Sequence, residues 1–272
     1  MQALVALAKE KKASLVGAFF LACVLLAGCV PAEPPAALCA MPDGVETVSS
    51  HSVVDGDTLR LTDGRRLRLA GINTPEIGRD GEPSEPWAQA ARRELLALVE
   101  GESLQLKVGD DPRDHYGRTL GYLFDRQGRS VEARLLQAGL GYAIVIPPND
   151  ALAACYLAAE HEARQARRGL WQSDAVAPVA ELKRGGFQLL RGRIVAVTQA
   201  RQPLWIDLDG PLTLRLDRRD LANFASAPDA SWVGREVEVR GWVVDRRAQQ
   251  NGFRRYMIGL RHPAQLHLLS TD

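Results

Sequence analysis

The chain has 272 residues, 46% of them hydrophobic and 25% charged, with a formal net charge of +1. That is an ordinary globular composition, long enough for one large domain or two small ones, and it argues against disorder except at the ends.

In chain order, the sequence opens with a basic "KEKK" at Lys9 to Lys12, followed by an apolar run from Leu15 to Ala27 that closes on small residues. This is the pattern of a secretory signal, because a spanning helix needs roughly 20 apolar residues and this run is shorter. The run stops at "LAGC", Leu26 to Cys29, which resembles the bacterial lipoprotein processing site. That resemblance implies cleavage before Cys29, a lipid on its sulfur and anchorage to a membrane surface without crossing it. A plain signal peptide with an incidental cysteine is the alternative. The stretch "VPAEPPAA" from Val30 to Ala37 favours the anchor, since a Pro/Ala tether would lift a domain off a bilayer. The residue after Cys29 is valine, without the aspartate associated with inner-membrane retention, so an outer-membrane location is favoured. Cys39 and Cys155 remain after the other two cysteines are accounted for, and export permits a disulfide between them. Two separate buried thiols are the alternative.

Beyond the tether, "HSVVDGDTLRLTDGRRLRLAGIN" from His51 to Asn73 alternates apolar and polar residues on both sides of Asp63-Gly64, predicting a hairpin. "PWAQAARRELLALVEG", Pro86 to Gly101, has helical spacing and a terminal glycine. Strands are predicted from Ser103 ("SLQLKVG") and Thr119 ("TLGYLFD"), a short helix from Ser130 to Ala143, and a long amphipathic helix from Asp150 to Trp171. Strands followed by helices packed on one side make an α+β unit.

A Pro- and Gly-marked stretch from Ser173 to Gly186 reads as a linker into a second unit with about five strands: "FQLLRGRIVAVT", "PLWIDLDG", "LTLRLD", "REVEVRGWVV" and "FRRYMIGL". Their number and rhythm predict a small all-β, OB-like barrel. The expected organisation is a signal over 1–28, a tether over 29–40, a first domain over 41–172, a linker over 173–184 and a second barrel over 185–272. Charge separates the two units: residues 41–172 carry 16 basic and 20 acidic side chains, net −4, whereas residues 185–272 carry 13 and 9, net +4.

The stretch "RLRLAGINTPE", Arg66 to Glu76, carries the chemical content. Strand alternation points Arg66 and Arg68 one way and Leu67 and Leu69 into a core, leaving a guanidinium on a rigid element with its far face free. Pro75 stiffens the turn that follows, so Glu76 can be held near that arginine. An ion pair of Arg68 with Glu76 closing a loop, and a mere turn at Asp55-Gly56, are the structural alternatives.

The order and spacing of "VVDGDTLRL", "RLRLAGINTPE", "DHYGRTLGYLF" and "GRSVEARLLQAGLGYA", then a helix ending "RGLW", resemble the staphylococcal-nuclease (thermonuclease) family over roughly Val48 to Trp171. The resemblance implies an OB-type five-stranded β-barrel with packed helices. It assigns Asp57, Asn73 and the backbone carbonyl of Thr74 to a calcium ion, Arg68 and Arg118 to the scissile phosphate, and Glu76 to the attacking water. The implied reaction cuts DNA and RNA and leaves 3′-phosphate ends. Planar, always-charged guanidinium forks suit the charge that builds on phosphate oxygens, and oxygen donors suit a hard cation. The family commonly has aspartate where this chain has Asn73, which predicts weaker calcium binding. By the same resemblance the Tyr116 hydroxyl reaches a phosphate oxygen, with core packing as the alternative; Tyr142 lines a base pocket or packs at a helix end.

The five histidines, His51, His115, His161, His262 and His267, show no paired spacing, which argues against a zinc enzyme. The second unit offers Trp205, Trp232, Trp242, Phe253 and Tyr256 amid arginines, either as barrel core or as stacking platforms for single strands. The pairs Arg246-Arg247 and Arg254-Arg255 flank "AQQNG", a basic hairpin loop in reach of a phosphate backbone. Together these readings predict a monomeric, surface-anchored, calcium-dependent nuclease. A non-catalytic binder of nucleic acid or protein on a nuclease-like scaffold is the alternative.

Overall fold

A computed structural model describes residues 39–199, 203–246 and 254–269. The signal, Cys29, the tether up to residue 38, Phe253 and most of the basic hairpin loop lie outside those residues.

The alternating stretch folds as three antiparallel strands rather than one hairpin: β1 (Glu46–Val53), β2 (Thr58–Leu61) and β3 (Arg66–Leu69). Both connections are Asp-Gly turns. At the second, Gly64 takes a φ of 90° while the Asp63 carboxylate accepts the Arg65 N–H at 2.9 Å, so the turn residues satisfy their own backbone. A two-residue strand, β4 (Ile72–Asn73), follows, then helix α1 (Ala88–Val99), β5 (Ser103–Arg113), β6 (Thr119–Phe124), helix α2 (Val131–Gln137), β7 (Tyr142–Ala143) and helix α3 (Ala153–Gln165).

The five long strands close a barrel in the order β1-β2-β3-β6-β5, with β3 and β6 parallel and every other pair antiparallel. Leu59, Leu67, Leu69, Leu104, Leu106 and Leu123 fill it, all completely buried. Ala88, Ala91, Leu95 and Leu98 give α1 one apolar face at three- and four-residue spacing, and most of that face joins the same core. Ser130 caps α2 by accepting the Ala133 N–H at 3.2 Å. Cys39 and Cys155 form a disulfide with their Cα atoms 5.4 Å apart, tying the first described residue to α3.

The second region begins with β8 (Ala177–Pro178), which pairs in parallel with β9 (Gly186–Thr198). Val179 and Leu182 between them are buried in the second core. β10 (Leu204–Leu208), β11 (Leu212–Leu216), β12 (Glu236–Asp245), β13 (Tyr256–Leu260) and β14 (Leu266–Leu268) complete the sheet. Five of these strands close a ring β9-β10-β11-β13-β12, since β12 pairs both β13 and β9. The β11–β13 pair is parallel and the others antiparallel, so this OB-type ring repeats the connectivity of the first.

The two barrels lie against each other through a small apolar cluster of Ala163, Trp171, Val176 and Leu189, and through three arginines. Arg164 of α3 donates both terminal nitrogens to Glu238 of β12 at 2.7 Å each. Arg240 of β12 reaches back to Glu160 of α3 at 2.7 Å and to the Ala143 carbonyl at 3.0 Å. Arg261 donates to the Pro147 carbonyl at 2.6 Å.

Candidate active site

The site forms where the β1–β2 turn, the end of β3 and the β6 edge of the barrel meet. Gly56 makes the first turn possible: a Cβ there would lie 2.6 Å from the Ala91 methyl and 2.7 Å from the Thr74 hydroxyl, so no other residue fits between α1 and the Thr74 segment. The close approach sets Asp57 inward, where it is buried. Its Oδ2 accepts the Thr74 N–H at 2.9 Å and pairs with Arg68 Nη2 at 3.0 Å, and its Oδ1 accepts the Thr58 hydroxyl at 3.1 Å.

Arg68 departs from the strand alternation. It is 9% exposed, whereas Arg66 on the same strand is exposed. The guanidinium folds over the strand end: Nη1 donates to the carbonyls of Leu69 at 2.6 Å and Ile72 at 2.8 Å, and Nη2 to Asn73 Oδ1 at 3.2 Å. The far face that alternation leaves free is therefore partly taken up by backbone acceptors. Those acceptors exist because Gly71, at φ 80°, turns the chain back into β4, which then pairs with β7 as Ile72 with Ala143 and Asn73 with Tyr142. The ion partner of Arg68 is Asp57 at 3.0 Å, in place of the loop-closing pair with Glu76 that was the structural alternative.

Asp57 Oδ2 and Asn73 Oδ1 thus converge on one point, the Arg68 Nη2 nitrogen, at 3.0 and 3.2 Å. Among the described residues no three His, Cys, Asp or Glu side chains cluster closely enough to hold a metal by themselves. The Asp57 carboxylate and the Asn73 amide oxygen that meet at Arg68 are oxygen donors of the kind that suits a hard ion. The electrostatics point the same way. Burial, then the Asp57 charge, raises the pKa of Asp55. Glu76 is exposed as a residue, yet desolvation of its carboxyl, then Asp57 and Asp55, raise its pKa too, with Arg68 opposing. Three carboxylates sharing one guanidinium favour a further positive charge among them.

Arg118 arrives from the tight loop before β6. Asp114 shapes that loop, its Oδ1 accepting the N–H groups of Tyr116 and Arg118 at 2.9 Å each and its Oδ2 accepting Arg118 Nε at 2.6 Å. Burial works upward on the Asp114 pKa, but the Arg118 hydrogen bonds outweigh it and the group stays below the usual carboxylate range. Arg118 Nη1 also donates to the Thr58 hydroxyl at 3.3 Å, and that hydroxyl donates onward to Asp57. Thr58 therefore links the two arginine centres. Tyr116 is 71% exposed beside Arg118, whose guanidinium lies 5.4 Å from its ring, so core packing is the wrong reading for it.

Arg68, Tyr116 and Arg118 line one open cleft of about 500 Å³. Asn73, Glu76 and Tyr142 line a neighbouring cavity of about 420 Å³. Tyr142 is half-buried there, its ring 5.6 Å from Trp171 and 5.5 Å from Phe187, and burial pushes its pKa up to about 12. Asp55, Thr58 and Asp114 are the residues that motif reading undervalued. The first acid and the threonine of "DGDT" flank the assigned aspartate and carried the signal.

A family model described as "Staphylococcal nuclease homologue" matches residues 66–173, ending where the second region begins. Among curated relatives, the thermonuclease of Staphylococcus intermedius is 32% identical over 123 residues, covering 44% of this chain and 73% of that protein. The SPbeta prophage-derived endonuclease YokF of Bacillus subtilis is 32% identical over 132 residues, covering 47% of this chain and 44% of its own length. Endonuclease YncB of Bacillus subtilis is 31% identical over 129 residues, covering 46% and 61%. The chain thus spans less than two thirds of the two Bacillus proteins but nearly three quarters of the staphylococcal one. On that coverage, and with the closed barrel carrying its motifs in the same order, the chain belongs to the staphylococcal nuclease family and is, at that level, a nuclease of the hydrolase class.

Proposed function

We propose that the chain is a calcium-dependent endonuclease that hydrolyses phosphodiester bonds of DNA or RNA and leaves 3′-phosphate ends. The observation that carries this reading is the shared cleft of Arg68 and Arg118, coupled through Thr58 and Asp57. Arg118 is the more available phosphate clamp, since Asp114 takes its Nε and Thr58 its Nη1 while its side chain stays partly exposed at the cleft. Arg68 holds the Asp57 and Asn73 oxygens in place from beneath. Glu76, made more basic by desolvation and its acidic neighbours, takes a proton from water, a role typically worth ~10²–10⁴-fold. The water oxygen forms a bond to phosphorus as the bond to the 5′ oxygen breaks, and the departing 5′ oxygen takes up a proton from solvent water, giving a 3′-phosphate and a 5′-hydroxyl. A calcium ion held by Asp57, Asn73 and the Thr74 carbonyl supplies charge neutralisation and orientation there. With an amide at Asn73 in place of a second carboxylate, its affinity is lowered.

The protein is further proposed to act as a monomer, lipid-anchored through Cys29 to the bacterial envelope with the outer membrane favoured, and organised with the domain limits given above. Palmitate labelling that is lost in Cys29→Ala tests the anchor. A second reading, a binding protein with weak or no catalysis, is favoured by the tight engagement of Arg68 with protein acceptors. Arg68→Ala, Glu76→Ala and Arg118→Ala, assayed on single-stranded DNA with calcium and with chelator, separate the two. An enzyme loses calcium-dependent cutting in each variant, and a binder cuts in none, the unmodified protein included.

A further inference from the structure

The two cavities of the site meet on a side chain that the first barrel does not own. Trp242 of β12 lines the cleft of Arg68 and Arg118 and also the cavity of Asn73 and Glu76. It is 43% exposed. Tyr256, by contrast, is core, and Trp205 and Trp232 are half-buried away from both cavities. Trp242 sits on a strand opposite Phe187 in the β9–β12 ladder, with the rings edge-on at 5.1 Å and 68°, and Phe187 in turn meets Tyr142. Its position is fixed by the Arg164–Glu238 and Arg240–Glu160 pairs that clamp β12 to α3.

A large ring held rigidly, partly wet, and shared by two open cavities is a poor use of apolar surface unless something flat covers it. The cleft walls favour a nucleic acid, because Arg118 and Arg261 line the same cleft as Trp242 and would hold a backbone while the ring meets a base. The neighbouring cavity, at about 420 Å³, has the size of a small-ligand pocket. Bases in a duplex have both faces covered by stacking, and turning one out costs a few kcal/mol.

We infer that Trp242 is the stacking platform of a nucleobase subsite, which makes the second barrel a wall of the active site and unpaired nucleic acid the preferred substrate. The inference deepens the nuclease reading and rests on it for the phosphate position. The test measures binding in chelator, without turnover, by fluorescence anisotropy of a labelled oligothymidylate and of an abasic oligomer of equal length. The unmodified protein binds oligothymidylate more tightly. Trp242→Ala weakens oligothymidylate binding ~5- to 100-fold, from the usual contribution of one stacked base, and leaves abasic binding unchanged; Trp242→Phe restores most of it. Trp242→Leu keeps an apolar contact to Phe187 without a flat ring and behaves as the alanine variant does.

No preference of the unmodified protein for bases overturns the inference with no variant needed. Equal losses on both oligomers, or none, also overturn it, since Trp242 would then act through packing or not at all. Cutting is scored separately with calcium. Base-dependent binding without cutting leaves the subsite and removes the nuclease reading, whereas cutting with no base-dependent loss in Trp242→Ala does the reverse.

Discussion

The third strand of each ring shows how the two barrels differ. In the first, the next-to-last residue of β3 is Arg68, buried and paired at 3.0 Å with a buried aspartate from the neighbouring turn. In the second, the next-to-last residue of β11 is Arg215, which pairs at 2.8 Å with Asp217 just beyond its own strand, both partly in water. The rings have the same order and the same single parallel pair. The ring therefore supplies positions, and chemistry depends on what the sequence sets there. "DGDT" delivers an inward carboxylate at one turn, while the corresponding β9–β10 connection, Gln199 to Pro203, contains no acid. The second ring instead presents aromatic and basic side chains outward toward the first.

The largest expected effect breaks that asymmetry directly. Arg118→Ala should reduce kcat by ~10²–10³, the usual cost of losing a charge-stabilising donor. Arg215→Ala, at the second ring's counterpart of Arg68, should leave it within about twofold, as surface changes generally do. Equal losses in steady-state assays on single-stranded DNA would mean that the second ring carries chemistry of its own.

A change at the contact between the barrels comes next. Arg240 and Glu160 are almost fully buried partners at 2.7 Å, and Glu160 also accepts the Ala143 N–H at 2.8 Å. Ala143 pairs with Ile72, whose carbonyl holds Arg68, so the second barrel braces the active site through this ladder. Arg240→Ala leaves a buried carboxylate unpaired, at a cost of ~3–5 kcal/mol, and should lower both thermal stability and activity. The exposed pair of Arg193 with Glu236, at 3.3 Å, is the control, and Arg193→Ala should cost about 0.5 kcal/mol or less. Thermal melts that fail to separate the two variants would remove the bracing role.

A smaller effect lies within the first barrel. Asn73→Asp adds a carboxylate to the proposed cation donors and should lower the calcium concentration for half-activity by about tenfold, as ligand charge tunes such sites. A calcium titration with unchanged midpoint would show that Asn73 serves only as an acceptor for Arg68.

Much of this was legible in the sequence where the signal was local. The alternation around Asp63-Gly64, the apolar spacing of α1, the serine before α2 and all five long strands of the second ring follow from short-range pattern. Long-range pairing was not. Nothing in "RLRL" and "TLGYLF" says that they lie parallel, and the β4–β7 ribbon has two residues a side, too few for any period. That ribbon is why Arg68 is buried against its alternation, because it brings the Ile72 carbonyl and the Asn73 amide over the strand end. The motif named Asp57, Arg68, Asn73, Glu76 and Arg118; Arg68 and Arg118 line one cavity, Asn73 and Glu76 another, and Asp57 is buried against Arg68. Trp242 was legible only as one of five aromatics, core or stacking platform, because its place depends on how the two barrels meet.

The finest comparison is in pH. Glu132 of α2 is completely buried, accepting the Leu123 N–H at 2.9 Å and the Ser130 hydroxyl at 3.0 Å, and burial lifts its pKa from 4.5 to about 7. The folded first barrel thus binds a proton more tightly than the unfolded chain. The stability this contributes is complete below pH 4.5 and is lost as pH rises through about 7. In the second barrel, desolvation lowers the pKa of His262, whose Nδ1 accepts the Ala264 N–H at 3.1 Å. Its neutral form is favoured on folding, so its contribution is present above pH 6.5 and fades as pH falls through the lowered value. Melting temperatures across this range should therefore respond in opposite senses: Glu132→Gln flattens the decline toward neutral pH, and His262→Asn, which can still cap, flattens the decline toward acid. If both substitutions shift the curve without changing its shape, neither group is the titrating one, and the opposed pH responses assigned to the two barrels would have to be given up.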